Sequence, residues 1–297
     1  MARVAVIGAG MAGLTCAALL SAAGIRPLVY DKSRGLGGRL ATRRWDHGQF
    51  DHGCPYIKPK SPGFAEAVKR FAVAPWGEGR FVGTPGMSSL VAPLAEGVNI
   101  LRGVEVREVA RVDGGLRVMA DGVDPRDFDR VVIAVPGPQI KRFAPEFADA
   151  VRDVEMAPCL TAMLAFDEEL PLPNMPDGLP EAIGWCVRDS AKPGRRGEAL
   201  VIQASPDWSE ANLELEKPAI AERLLVEFQG VLGATLPEPT YMGGHRWRFS
   251  ATSKPLGQAY VSQAGIYAAG DWCLGAEVEA AWESGRAVAA AVLADLG

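Results

Sequence analysis

RVAVIGAGMAGLTCAALLSAAGIRPLVYD, residues 3–31, decides the fold of this chain. Residues 3–8 are a short apolar run of the kind that forms a buried strand, and the Ala- and Leu-rich run beyond Gly13 has the length of a helix. Gly24 stands where a left-handed residue ends such a helix, and residues 27–31, PLVYD, read as the second parallel strand. Within GAGMAG, Gly8 permits the tight turn, Gly10 lets a pyrophosphate approach the backbone, and Gly13 lets helix and strand pack closely. The helix N-terminus offers free N–H groups and positive potential, and Asp31 can accept hydrogen bonds from an adenosine ribose. Residues 4–25 are uncharged and follow Arg3, as a signal peptide would, but glycines at fixed spacing before an acidic residue serve a nucleotide-binding βαβ unit.

The next stretch narrows the nucleotide. DKSRGLGGR, residues 31–39, is a second glycine run flanked by Arg34 and Arg39, which NAD dehydrogenases lack. Arg39 can neutralise a second side of the pyrophosphate, while the glycines let a large ring system pass close to the backbone. Further on, RVVIAVPGP puts small residues at the end of a sheet strand, and AAGDW ends a strand on Asp271 before the last helix. Asp271 is placed for a ribityl chain, and the helix start at Val278, Glu279 and Ala281 for a flavin pyrimidine oxygen, where a helix N-terminus stabilises negative charge. FAD is therefore the expected cofactor.

The rest of the chain is organised around this unit. RRWDHGQFDHG reads as two short extended pieces about a His47-Gly48 turn, and a short helix is expected from Phe64 into AVAPWGEG. ILRGVEVREVARV, GLRVMAD and FDRVVIAVPGP suit a three-stranded antiparallel insertion that returns to the parallel sheet. Residues 150–254 are proline-rich, with one clear helix over 219–232, and a last helix runs over 278–296. The expected fold is α/β, a Rossmann-like FAD-binding domain (1–60, 83–149 and 255–297) interleaved with a smaller mixed-sheet α+β substrate domain (61–82 and 150–254). A formal charge of −5 without a basic block argues against nucleic-acid and anionic-membrane partners. Five scattered cysteines without a CxxC pair support neither a disulfide framework nor a metal site, so reduced thiols and a cytoplasmic location are expected.

Taken together, GAGMAG, Asp31 and RGLGGR resemble the signature of the flavin-containing amine oxidoreductase superfamily. DKSRGLGGRLATRR, FDHGCPYI, TPGMSSL, SAKPGR, HRWRFS and GIYAAGDWCLGAEVEAAWESG, in that order, resemble the renalase family, particularly its bacterial members. The resemblance implies a glutathione-reductase- or para-hydroxybenzoate-hydroxylase-like architecture and non-covalent FAD. It also implies an oxidase that takes hydride from dihydropyridine isomers of NAD(P)H and passes electrons to O2, giving NAD(P)+ and hydrogen peroxide. Such a substrate becomes aromatic on giving up hydride, so orientation and exclusion of water suffice and no side-chain base is needed. On the same resemblance Met11, Ala12, Lys32, Gly38, Val106, Ala134, Pro136 and Gly270 join the cofactor residues. Tyr56, Trp185 and His245 are orienting candidates, and Lys58, Arg188, Lys192 and Arg246 candidates for the substrate. Cys54, Pro55, Tyr56, Ile57 and Lys58 stand where relatives carry Ala-Gln-Tyr-Phe-Thr, and the stretch between Phe71 and Arg80 is shorter than in bacterial members. Two other functions fit the same residues: an amine oxidase or desaturase with another small substrate, and a flavin-binding sensor without catalysis.

Overall fold

The computed structural model describes residues 2–232 and 236–297; Met1 and residues 233–235 of the two units expected from sequence lie outside the described residues. The chain opens with β1 (Val4–Ile7), α1 (Met11–Ala22), β2 (Leu28–Asp31) and a hairpin of β3 (Thr42–Trp45) and β4 (Gly48–Asp51). There follow α2 (Pro62–Val68), β5 (Val73–Pro75), β6 (Phe81–Gly83), α3 (Ala92–Ala95), β7 (Asn99–Arg102), β8 (Val106–Val112), β9 (Gly115–Ala120), β10 (Val123–Phe128) and β11 (Arg130–Ile133). The remainder holds β12 (Glu155–Phe166), β13 (Ile183–Arg188), β14 (Glu198–Ala204), α4 (Pro206–Ala211), α5 (Lys217–Leu232), β15 (Tyr241–Lys254), β16 (Val261–Gln263), β17 (Ile266–Ala268) and α6 (Val278–Leu296).

β1 lies inside a six-stranded sheet of order β16-β17-β11-β1-β2-β7, parallel except for the edge strand β16. Its side chains alternate between two cores, as a pleated strand demands. Val4 and Val6 pack with Leu14, Cys16 and Ala17 of α1 and with Val288, Ala289 and Val292 of α6. Ala5 and Ile7 pack on the other face with Val109, Leu116, Val118 and Phe128 of the β8–β10 sheet. Gly24 takes φ +85 and Ile25 N–H bonds back to Leu20, the six-to-one closure of a left-handed helix stop.

ILRGVEVREVARV divides at Gly103, φ +70, so that β7 extends the parallel sheet and β8 opens the antiparallel one. The third antiparallel strand is β10, VDPRDF, rather than FDRVVIAVPGP. β10 pairs only with β9, and a free edge tolerates Pro125 because no neighbour needs its missing N–H.

The second large sheet, of order β13-β14-β12-β15, is antiparallel throughout rather than mixed. One face buries Leu160, Ala162 and Leu164 against Ile220, Leu224 and Phe228 of α5. The other face buries Met163, Ala165, Val187 and Val201 against Phe50, with Trp45, Trp76, Met175 and Trp185 at the margin. Phe64, Val68, Phe71 and Val82, from the stretch 61–82 expected with the substrate domain, join the α1–α6 core, while Trp76 of the same stretch also packs at the margin of the second sheet. Among the described residues no helix is long and apolar enough to cross a membrane.

Candidate active site

The glycine turn is shaped by contacts that differ at each glycine. Gly8 holds φ +108, and a Cβ there would lie 2.4 Å from the Ala134 carbonyl oxygen; at Gly13 it would lie 1.9 Å from that of Gly8. At Gly10 it would meet nothing within 4 Å. Gly10 caps α1 without a side-chain cap, and the first turn holds no acidic residue, so among the described residues no side chain caps the first N–H groups of α1. That is the cradle a dinucleotide pyrophosphate fits, with Met11 and Ala12 buried in the first turn behind it. Gly37 N–H bonds to the Ala9 carbonyl, and Gly38, φ +57, would place a Cβ only 3.6 Å from Gly10 Cα. Thus the second glycine run lies against the first.

Asp31 is buried, and its carboxylate accepts N–H bonds from Ala9 (2.6 Å) and Ser33 (2.7 Å). The residue expected to hold a ribose therefore also ties the glycine turn to β2. Lys32 is exposed. Val106 is buried at the start of β8, Ala134 N–H bonds to Ile7 beside the turn, and Pro136 precedes the short helical turn 137–142.

Arg39 is anchored within the protein. Two of its N–H groups reach the Asp271 carboxylate and another bonds to the Ser250 carbonyl at 2.9 Å. Of the five donors of a guanidinium, Nε–H and one Nη2–H stay available for an anion. Asp271 also accepts from Thr252 (3.0 Å), while Ser284 of α6 accepts from the Gly270 N–H that precedes it. Glu279 is likewise engaged, accepting from Lys60 N–H (2.7 Å) and Ser61 N–H (2.8 Å). Its carboxylate thus anchors the segment ahead of α2, leaving Val278 and Ala281 as the open part of the α6 start.

FDHG carries the chain from this cradle to an aromatic cluster. A Cβ at Gly53 would lie 2.0 Å from the Arg39 carbonyl, and Cys54 N–H bonds to that same oxygen. Two residues on, the Tyr56 ring lies 5.5 Å from Trp185 and 6.2 Å from Trp76, with Arg80 5.5 Å from its centroid. Trp76 and Arg80 were not foreseen. They sit on the β5–β6 turn, closed by Trp76 N–H to the Arg80 carbonyl with positive φ at Gly77, Glu78 and Gly79. WGEGR between two short apolar runs was the available hairpin signal. Lys58 is exposed, away from any partner among the described residues.

His245 meets His52 edge-on (4.8 Å) and Trp247 at a tilt (4.3 Å), and both imidazole Nδ1 atoms are buried without a partner among the described residues. Burial pushes His52 down to about 4 and His245 down to about 3, with Arg43 adding to both. Both rings are neutral in the fold while unfolded histidine protonates below roughly pH 6.5, so stability is complete above that pH and lost as it falls. We expect the unfolding free energy to drop by about 2 kcal/mol for buried His52 between pH 7 and pH 5, and by less for half-buried His245. Chemical denaturation across that range should show a shallower slope in His52→Asn and His245→Asn; identical slopes in all three proteins contradict this.

Three of the expected substrate cations already bond within the protein. Arg188 is paired with Glu198 (2.8 Å) and Glu169 (3.0 Å), and Arg246 bonds to the Leu215 carbonyl. Lys192 is fully buried with Asp189 (2.6 Å) and Asp51 (3.4 Å), and Arg195 also pairs with Asp51. Burial alone raises the Asp51 carboxyl, but Lys192 and Arg195 outweigh it and hold it below its usual range. FDHG and SAKPGR are therefore joined by a buried tetrad of two acids and two bases. All five cysteines are free, and burial pushes the Cys273 thiol up to about 12.

The sequence profile described as flavin containing amine oxidoreductase matches residues 74–293, and that of an NAD(P)-binding Rossmann-like domain matches residues 6–72. Renalase of Mus musculus is 23% identical, over 86% of this chain and 87% of that protein. A solved structure described as a candidate protoporphyrinogen oxidase from Exiguobacterium superposes with a TM-score of 0.76 at 14% identity, covering 99% of both chains. Wild-type putrescine oxidase bound to putrescine superposes at 0.70 with 15% identity, again over 99% of both.

Proposed function

From the premise that the chain belongs to the flavin containing amine oxidoreductase family, we propose that it is a renalase-like oxidase of dihydropyridine isomers of NAD(P)H with non-covalent FAD. As a flavin-dependent oxidoreductase it has a Rossmann-like nucleotide domain and an amine-oxidase-type domain. The observation that supports the finer reading is the likeness to mouse renalase over 86% of this chain. FAD bound here supplies a two-electron acceptor for hydride and a route to dioxygen, so substrate leaves as NAD(P)+ and dioxygen as hydrogen peroxide.

The residues divide the remaining work. The first N–H groups of α1, at Gly10, Met11 and Ala12, hold the pyrophosphate, with the free donors of Arg39 beside Gly38. Asp31 would meet the adenosine ribose, Val106, Ala134 and Pro136 would border the adenosine side, and Gly270 and Asp271 would meet the ribityl chain. The α6 start at Val278 and Ala281 would lie toward the pyrimidine, where a helix N-terminus stabilises negative charge. A high-pKa, buried Cys273 makes a poor nucleophile and favours non-covalent binding. Tyr56 and Trp185 hold the dihydropyridine flat, and neutral His245 with its free Nδ1 orients without taking a proton.

The family description and the fold shared with putrescine oxidase support a second reading, oxidation of an amine. Aerobic turnover separates the two: 2-dihydro-NAD should consume dioxygen and release one peroxide per NAD+ formed, with no consumption on putrescine or benzylamine. Dioxygen uptake with an amine and none with any dihydropyridine isomer excludes the first reading.

A further inference from the structure

We propose that Arg80, with the indole N–H of Trp185, sets the specificity of the aromatic site: it selects a flat, neutral or anionic ring bearing an acceptor oxygen and turns away alkylammonium ions. This deepens the dihydropyridine reading and rests on it for the site's role. The Arg80 guanidinium lies 5.5 Å from the Tyr56 ring centroid and 5.4 Å from that of Trp76. It therefore occupies the very ring faces on which a substrate ammonium would sit. Lys192 adds a second cation 5.6 Å from Trp76. Lys192 is balanced by Asp51 and Asp189, whereas Arg80 meets only Glu78, which is 79% exposed on the solvent side.

The donors left over point the same way. Arg80 Nε and Trp185 Nε1 are both buried without a partner among the described residues, and both side chains flank Tyr56. Buried N–H groups are nearly always bonded, and an unmet one is expensive to keep unless a ligand meets it. Arg80 Nη1 reaches only the Met175 sulfur, a weak acceptor at 3.5 Å. An amine offers these groups no oxygen, while a carboxamide or carboxylate on an aromatic ring does. Arg80 is thus a specificity-determining residue, held in place by the β5–β6 turn.

The test is ligand binding to the flavin-loaded protein, read from the flavin absorbance at pH 7.5 with nicotinamide, benzoate and benzylamine. Wild-type protein should bind benzoate and nicotinamide at least about tenfold more tightly than benzylamine. Arg80→Met should erase that ratio, Arg80→Lys should keep the rejection of benzylamine while weakening nicotinamide, and Trp185→Phe should weaken nicotinamide and benzoate while leaving benzylamine unchanged. Benzylamine binding the wild type as tightly as benzoate overturns the proposal without recourse to any variant, as does an unchanged ratio in folded, flavin-loaded R80M. If the ratio holds but 2-dihydro-NAD leaves the flavin oxidised, the oxidase reading falls and the selectivity stands. If 2-dihydro-NAD is oxidised and the ratio is reversed, the selectivity falls alone.

Discussion

Gly10→Val should give a folded, colourless protein, and Gly13→Val should give no folded protein. The two glycines stand three residues apart in one motif, yet their surroundings are opposite. A Cβ at Gly10 meets no protein atom within 4 Å, so a valine there fills only the space where the pyrophosphate is proposed to lie. A Cβ at Gly13 would be 1.9 Å from the Gly8 carbonyl oxygen and 3.2 Å from the Ala134 Cβ, which forces α1 off β1. We expect the flavin-to-protein ratio of G10V to fall to about a tenth or less of wild type, with its melting temperature matching wild-type protein stripped of flavin. G13V should accumulate as aggregate. Full flavin content in G10V contradicts the cradle, and a stable, soluble G13V contradicts the packing.

Lys192→Met should be among the most damaging single changes outside the glycine turn. Its side chain is wholly buried between Asp51 and Asp189, which sit at the ends of two motifs far apart in sequence. Burial, and then the Asp51 charge, push Asp189 up in spite of Lys192, so removing the lysine leaves a carboxylate with little reason to stay ionised. Breaking a buried ion pair from one side costs about 3–5 kcal/mol. At roughly 2–4 °C per kcal/mol for a chain of this size, a fall in Tm of about 10 °C follows. Adding Asp189→Asn should recover part of the loss, because the pair is then removed from both sides. A thermal melt of K192M within a degree or two of wild type contradicts the account of the tetrad.

The nucleotide half was readable because its motif is local. Gly8 and Gly24 hold positive φ and Gly13 lets α1 approach β1, the steric work that the sequence implies, while Asp31 ties the turn to β2. β10 was missed because edge strands tolerate proline and charge, which read as turn signals. The partners of Arg188, Lys192 and Arg246 are not legible in the sequence, because nothing near these residues in the chain reveals them. Glu198 and Glu169, Asp51, and the Leu215 carbonyl arrive from other strands and loops. The pairing of Arg39 with Asp271 joins the two ends of the chain, a contact that residue type alone leaves open. Trp76 and Arg80 acquire meaning only when the β5–β6 turn is laid beside Tyr56.

The dihydropyridine reading is tested most directly by mixing the flavin-loaded protein, without oxygen, with 2-dihydro-NAD in a stopped-flow spectrometer. The account predicts that the yellow absorbance bleaches within seconds with one NAD+ formed per flavin, and that colour returns in air with peroxide. A flavin that stays oxidised with every dihydropyridine isomer, while bleaching with an amine, contradicts it.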